Sequence, residues 1–168
     1  MIIRSTTDED WEILKEIRLA SLIDAPTVFG VSHATLAAHS DSEWRERAAN
    51  RGQAQFLLAF MNGEAVGMVG GVISPTSDLT LIAMWVRHAY RGTDAAASLV
   101  DAIKTRAIAQ GHARVILDVS PDNERAASFY RKQDFSFLPE WEPLASHPEI
   151  AVQKMEWRTG INRQAASD

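Results

Sequence analysis

No cysteine occurs in the sequence. That absence excludes a disulfide framework, a thiolate nucleophile and a cysteine-ligated metal, and it fits a reducing compartment. No apolar run approaches the about 20 residues that cross a bilayer as a helix. The N-terminus, Met1-Ile-Ile-Arg-Ser-Thr-Thr-Asp8, turns acidic without a hydrophobic stretch, so it does not read as a secretion signal. A cytoplasmic protein without membrane contact is the expectation. Positive charge is also scarce. Seventeen Lys and Arg stand against 22 Asp and Glu, and the net charge of -5 argues against a broad nucleic-acid surface. The five histidines, His33, His39, His88, His112 and His147, show no ligating spacing on one element, so no metal site is expected. A Gly-x-Ser-x-Gly elbow and a Gly-Lys-Ser/Thr phosphate loop are both missing.

The 168 residues suffice for one compact domain with a sizeable core, expected over 1–158 with a flexible tail over 159–168. Ile2 to Arg4 predicts a short strand. Thr7 and Asp10 resemble a capping pair ahead of a helix with Leu14, Ile17 and Ser21 on one face. Asp24-Ala-Pro-Thr-Val-Phe-Gly30 breaks that helix, and a second is expected over Ser42 to Asn50. The period then changes. Gln55 to Phe60, Ala65 to Ile73 and Leu79 to Val86 are apolar runs, the first two joined through Asn62-Gly63, a hairpin signal. Ala95, Leu99, Ile103 and Ala107 share a helix face that ends at Gly111. Val115 to Val119 predicts a buried strand, and Asn123 a cap for a helix carrying Ala126, Ala127, Phe129 and Tyr130. Phe135 to Leu138 and Ile150 to Trp157 predict two closing strands linked by a proline-containing loop. The order is β-α-α-β-β-β-α-β-α-β-β, an α/β chain.

The segment from Leu79 to Val100 carries the clearest chemistry. A strand runs into the basic turn Arg87-His-Ala-Tyr-Arg-Gly-Thr93 and then into a helix. A helix N-terminus presents unpaired N–H groups and about half a positive charge, which suits phosphate oxygens. Gly92 permits close backbone approach, Arg91 adds a permanent cation, and Ala95 and Ala96 are too small to obstruct a pyrophosphate. The same residues also read as a solvated basic turn before an ordinary amphipathic helix.

Val86-Arg-His-Ala-Tyr-Arg-Gly-Thr-Asp-Ala-Ala-Ala-Ser-Leu-Val100 resembles the acetyl-CoA signature of the GNAT N-acetyltransferase superfamily. That signature is Gln/Arg-x-x-Gly-x-Gly/Ala, with Arg91, Asp94 and Ala96 at its defined positions. Asn123-Glu-Arg-Ala-Ala-Ser-Phe-Tyr-Arg-Lys-Gln-Asp-Phe135 is similar to the family's Asn-x-x-Ala-x-x-x-Tyr-x-x-x-Gly-Phe segment. The resemblance spans roughly Ile2 to Trp157. It implies a three-layer α+β fold with a mixed, mostly antiparallel twisted sheet flanked by helices. It also implies acetyl-CoA as co-substrate and a primary amine of a small molecule or peptide N-terminus as acceptor. Trp85 and Val86 would lend backbone to the pantetheine arm, while Arg91, Gly92, Thr93, Asp94, Ala95 and Ala96 would hold the pyrophosphate. Asn123 would cap a helix and contact CoA, and Tyr130 would protonate the departing thiolate. A homodimer paired through sheet edges is a further expectation of this fold.

Two positions depart from the pattern. Asp134 replaces a glycine just past a helix end, where Asp tolerates the left-handed conformation at modest cost. Asp94 replaces a glycine inside the anion cradle. Its carboxylate favours the helix dipole but competes with phosphate for the same N–H groups. The strand Leu79 to Val86 lacks the glutamate that some members use as a base. Deprotonation through ordered water is one solution, and Asp118 is the nearest acidic candidate. A strand-end aspartate bonded to a turn backbone is the other reading of Asp118. Phe29, Trp44 and Trp85 are candidates for an acceptor pocket, although such side chains more often belong to the core. A degenerate acyl-CoA-binding domain without turnover is the alternative function.

Overall fold

The computed structural model describes residues 1–161. The expected tail begins at Thr159, whose hydroxyl is tied to the carbonyls of His112 and Ala113, and residues 162–168 lie outside the described residues. Seven strands form one sheet: β1 (Ile2–Ser5), β2 (Ala54–Met61), β3 (Glu64–Ile73), β4 (Leu79–Val86), β5 (Arg114–Val119), β6 (Ser136–Leu144) and β7 (His147–Arg158). Their spatial order is β1-β2-β3-β4-β5-β7-β6. Only β4 and β5 run parallel, as the crossover helix between them requires. Five α-helices lie among the described residues: α1 (Trp11–Asp24), α2 (His33–Ala37), α3 (Asp41–Ala48), α4 (Ala95–Ala109) and α5 (Glu124–Lys132). This is the three-layer, mostly antiparallel α/β arrangement expected from the sequence. No helix among the described residues is long and apolar enough to cross a membrane.

Each face of the sheet has its own core, because the period of two sends alternate strand residues to opposite sides. On one face Leu57, Ala59, Val69, Leu81, Val115 and Leu117 cluster with Leu99, Val100 and Ile103 of α4. On the other, Phe56, Leu58, Met68 and Ala83 cluster with Leu14 and Ile17 of α1 and Trp44 of α3. Fully burying each large apolar side chain contributes about 1.5–3 kcal/mol. Gly67 fixes how closely α4 approaches the sheet. A Cβ there would stand 3.0 Å from Leu99 Cδ1 and 3.2 Å from the Trp85 carbonyl oxygen.

Local signals placed most junctions. Asn62 and Gly63 both adopt positive φ, 52° and 79°, and close the β2–β3 hairpin. Thr7 N–H donates to Asp10 Oδ2 at 2.8 Å, as a capping pair should, and Arg4 clamps the same carboxylate at 2.7 and 2.9 Å. Gly111 ends α4 at φ 77°.

Two expectations were wrong. The segment between the first two helices contains a further turn of helix, α2, nucleated where Ser32 Oγ accepts the Thr35 N–H. The expected proline loop over 138–149 is instead a continuation of β6 and β7, which turn tightly between Leu144 and His147. Proline is tolerated there because β6 is the edge of the sheet, where an N–H facing outward has no ladder partner to lose. Pro148 lies before the part of β7 that pairs with β5, which starts at Gln153.

Candidate active site

Strands β4 and β5 pair at only two positions, Leu79 with Val115 and Thr80 with Ile116. Beyond Thr80 they part, so the backbone of β4 up to Val86 has no ladder partner on the β5 side. A bulge in β4 accompanies the parting. Met68 and Gly70 of β3 pair with Trp85 and Ile82, so β4 spends an extra residue there. Ala83 takes φ 57° to make it, a left-handed conformation that costs an alanine about 1–2 kcal/mol. Bulges bend a strand and increase its twist. The result is an open strand end leading into the basic turn.

In that turn, one 3-10 turn over His88–Tyr90 precedes Gly92, which has φ 82°. No atom lies within 4 Å of where a Gly92 Cβ would be, so space beside its backbone is clear. Thr93 Oγ1 donates to the Tyr90 carbonyl and accepts the Ala95 N–H at 3.3 Å, fastening the turn to α4. Asp94 is exposed and makes no side-chain cap bond to the helix it precedes. The competition with an anion for first-turn N–H groups is therefore not built into the structure. Ala95 differs from its expected setting: its side chain is wholly buried in the core, so only its backbone faces the turn. Ala96 is half-buried.

Arg91 is not a free cation. Its Nη2 donates to Asp24 Oδ2 at 2.7 Å, its Nε donates to the Val86 carbonyl at 3.1 Å, and its Nη1 lies 2.9 Å from His88 Nε2. Asp24 Oδ2 also accepts the Trp85 indole N–H at 2.9 Å. The Trp85 and Arg91 hydrogen bonds hold the Asp24 carboxyl below its ordinary range. Asp24, missed in the sequence, thus ties the end of α1 to the end of β4. A second tie is the ion pair of Arg87 with Glu16.

Tyr130 is 8% exposed, wedged edge-on between Phe129 and Phe135 with ring centroids 5.2 and 5.8 Å away. Its hydroxyl has no hydrogen-bond partner among the described residues, and burial pushes the phenol well above its ordinary pKa. Asn123 caps α5, its Oδ1 accepting the Ala126 N–H at 3.3 Å. Asp134 takes φ 70° past the end of α5, the left-handed position expected of it.

Asp118 is not bonded to a turn backbone. It stands opposite Lys154 in the β5–β7 register, with Nζ 3.9 Å from Oδ1. Its carboxyl is pushed up to about 6, first by burial, then by its hydrogen bond with Glu142 and the charges of Glu142 and Glu140, against the pull of Lys154. Leu117 and Val119 join the α4 core, so alternation puts Asp118 on the opposite face.

Phe29 and Trp44 belong to the α1–α3 core, 7% and 0% exposed. The Phe29 carbonyl accepts the Ser146 hydroxyl at 2.7 Å, joining the segment after α1 to the β6–β7 turn. Phe29 also stacks on an unexpected group. Arg18, only 8% exposed, lies 5.1 Å from its ring centroid. Sequence inspection missed Arg18, although an arginine one turn after Leu14 and beside Ile17 falls on the buried stripe.

Several solved acetyltransferase structures share this architecture. One is a ribosomal-protein-alanine N-acetyltransferase from Brucella melitensis, at 16% identity and TM-score 0.72, covering 94% of this chain and 99% of that one. A ribosomal L7/L12 α-N-protein acetyltransferase solved with coenzyme A superposes at TM-score 0.75 and 16% identity, covering 95% and 94%. An aminoglycoside 6'-acetyltransferase type Ii gives 0.70 at 18%, covering 95% and 97%. At such identities the likeness is one of fold. Family follows from the sequence itself, for the pattern of the Acetyltransferase (GNAT) family matches residues 16–135, and the chain belongs to that family. No curated protein matches the chain closely enough to add to this.

Proposed function

We propose that the protein transfers the acetyl group of acetyl-CoA to a primary amine, on a small molecule or a peptide N-terminus. The observation that carries this reading is the parallel pair that opens after Thr80 beside the N-terminus of α4. The residues present fit the cofactor: Gly92 leaves clear space, and Asp94 caps none of the first-turn donors. The first-turn N–H groups of α4, with Thr93 and Gly92, would hold the pyrophosphate. The backbone of Trp85 and Val86, which has no ladder partner on the β5 side, would hold the pantetheine arm, with Asn123 a further contact. Acetyl-CoA supplies an activated acyl group on a thiol leaving group.

The chain's own residues then manage protons. Tyr130, protonated at neutral pH as any phenol is, is the candidate to return a proton to the departing sulfur, and its burial raises its pKa and makes it a weaker acid for that step. Asp118, its carboxyl near 6, is matched to accepting a proton from an ammonium, directly or through water. Glu140 and Glu142 add negative potential that favours a cationic amine on this face. Neighbours of the same fold include enzymes named for ribosomal proteins and for aminoglycosides, both of them amine acceptors.

Titration of CoA by calorimetry, followed by thiol release from acetyl-CoA across a panel of amines, tests the proposal. Binding with release supports it. Binding without release from any amine points to an acyl-CoA sensor, a reading favoured by the engagement of Arg91 with Asp24. Replacing Asp94 with glycine is expected to tighten CoA binding several-fold, since the exposed carboxylate repels phosphate through solvent only.

A further inference from the structure

Among the described residues, four buried side-chain nitrogens have no hydrogen-bond partner: Arg18 Nη1, His39 Nδ1, Trp44 Nε1 and Arg47 Nη1. All lie on α1, on α3 or on the link between α2 and α3. Arg18 is the extreme case. It is more than nine-tenths buried, and no nitrogen of its side chain donates to any described residue. Phe29 offers only a ring face. Burial, and then the like charge of Arg47, pull the Arg18 guanidinium down to about 10. A buried charge without a counter-ion is costly, and folded proteins pair such groups or use them to bind ligands.

The neighbouring charges define the missing partner. Burial pulls the Arg47 guanidinium below its ordinary pKa while the charge of Glu43 opposes that pull, and Glu43 also lies 3.6 Å from His39 Nδ1. Arg47 and Glu43 balance, which leaves one uncompensated positive charge on Arg18. A guanidinium fork takes carboxylate and phosphate alike in bidentate geometry, and a single uncompensated positive charge is matched by a monoanion, which selects the carboxylate. The position points to the acceptor side. Arg18 precedes Asp24 by six residues, about 9 Å along α1, and Asp24 touches Trp85 at the open end of β4. Phe29, against which Arg18 packs, bonds the β6–β7 turn.

We propose that Arg18, with Arg47 beside it, binds a carboxylate carried by the acceptor, so that the substrate class is amines that also bear a carboxylate. This rests on the acetyl-transfer reading above. The 8% exposure that Arg18 keeps and the half-buried Arg47 provide the way in.

The test has a binding arm and a turnover arm, both on the full chain with CoA. In the first, thermal unfolding is followed in sodium acetate and in sodium chloride at matched ionic strength. The wild type is expected to melt higher in acetate, and Arg18→Met to respond to both salts alike. Free of anion, Arg18→Met is expected to melt about 3 °C higher, because an unpaired buried charge has gone. A wild type indifferent to acetate, or a variant that keeps the response, overturns the proposal. In the second arm, glycine and lysine are compared with glycinamide and lysinamide by thiol release. A preference of about tenfold or more in kcat/KM for the acids, carried by KM and lost in Arg18→Met, supports it. Release that ignores both the carboxylate and Arg18 overturns the proposal and leaves acetyl transfer standing. No release from any amine, with the acetate response intact, removes acetyl transfer and the acceptor assignment while leaving Arg18 as an anion site.

Discussion

The two faces of the sheet are built on different rules. The α4 face is an apolar cluster from Leu57 to Met155, and none of the four unpaired buried nitrogens belongs to it. The α1–α3 face holds all four, along with stacked arginines over Phe29 and Trp44. The first face supports a turn that offers backbone N–H groups, so its side chains need only pack. The second meets the open strand end through particular side chains, Asp24 and Trp85, with Arg18 further along α1.

Experiments can break or sharpen this contrast. The largest effect is expected at Leu99, fully buried between α4 and Gly67. Leu99→Ala should lower stability by about 3 kcal/mol in urea unfolding; a loss below about 1 kcal/mol would show the α4 face to be loosely packed. Next, Tyr130→Phe should reduce kcat for thiol release about 100-fold while leaving the CoA dissociation constant within about twofold. Full turnover in that variant would remove the tyrosine from the proton path.

Asp24 comes third. Its lowered pKa means that its stabilisation is present above the ordinary aspartate value of about 3.9 and is lost as pH falls through the lower folded value. Exposure and solvent screening limit that contribution to under about 1 kcal/mol. Asp24→Asn should therefore melt slightly lower at pH 7, and the gap should close as the pH falls below the ordinary aspartate range; a gap that persists in acid would mean the carboxylate's charge is not what binds Arg91. The smallest effect is expected at Trp44. Trp44→Phe loses some packing but also removes an unpaired buried N–H, so the net change should lie within about 1 kcal/mol. A much larger loss would reveal a partner for that nitrogen.

Legibility in the sequence followed the range of the forces. The Asn62-Gly63 hairpin, the Asn123 cap and the left-handed Asp134 were readable because each is decided by a few neighbouring residues. The strand–turn–helix around Gly92 was readable for the same reason. Arg91's engagement by Asp24 was not, since the two are 67 positions apart in the chain. Arg18 escaped notice because a helical arginine ordinarily faces water, and only the packing of three helices shows that it does not. The length of β6 was hidden by Pro139 and Pro143, which local rules read as a loop; that β6 is an edge strand is a property of the whole sheet.

Those prolines also bear on assembly. A strand docking along β6 from outside would look for N–H donors and find pyrrolidine carbons at positions 139 and 143. The opposite edge, β1, offers only four residues. Prolines at one edge and a short strand at the other are features that discourage the addition of a further strand.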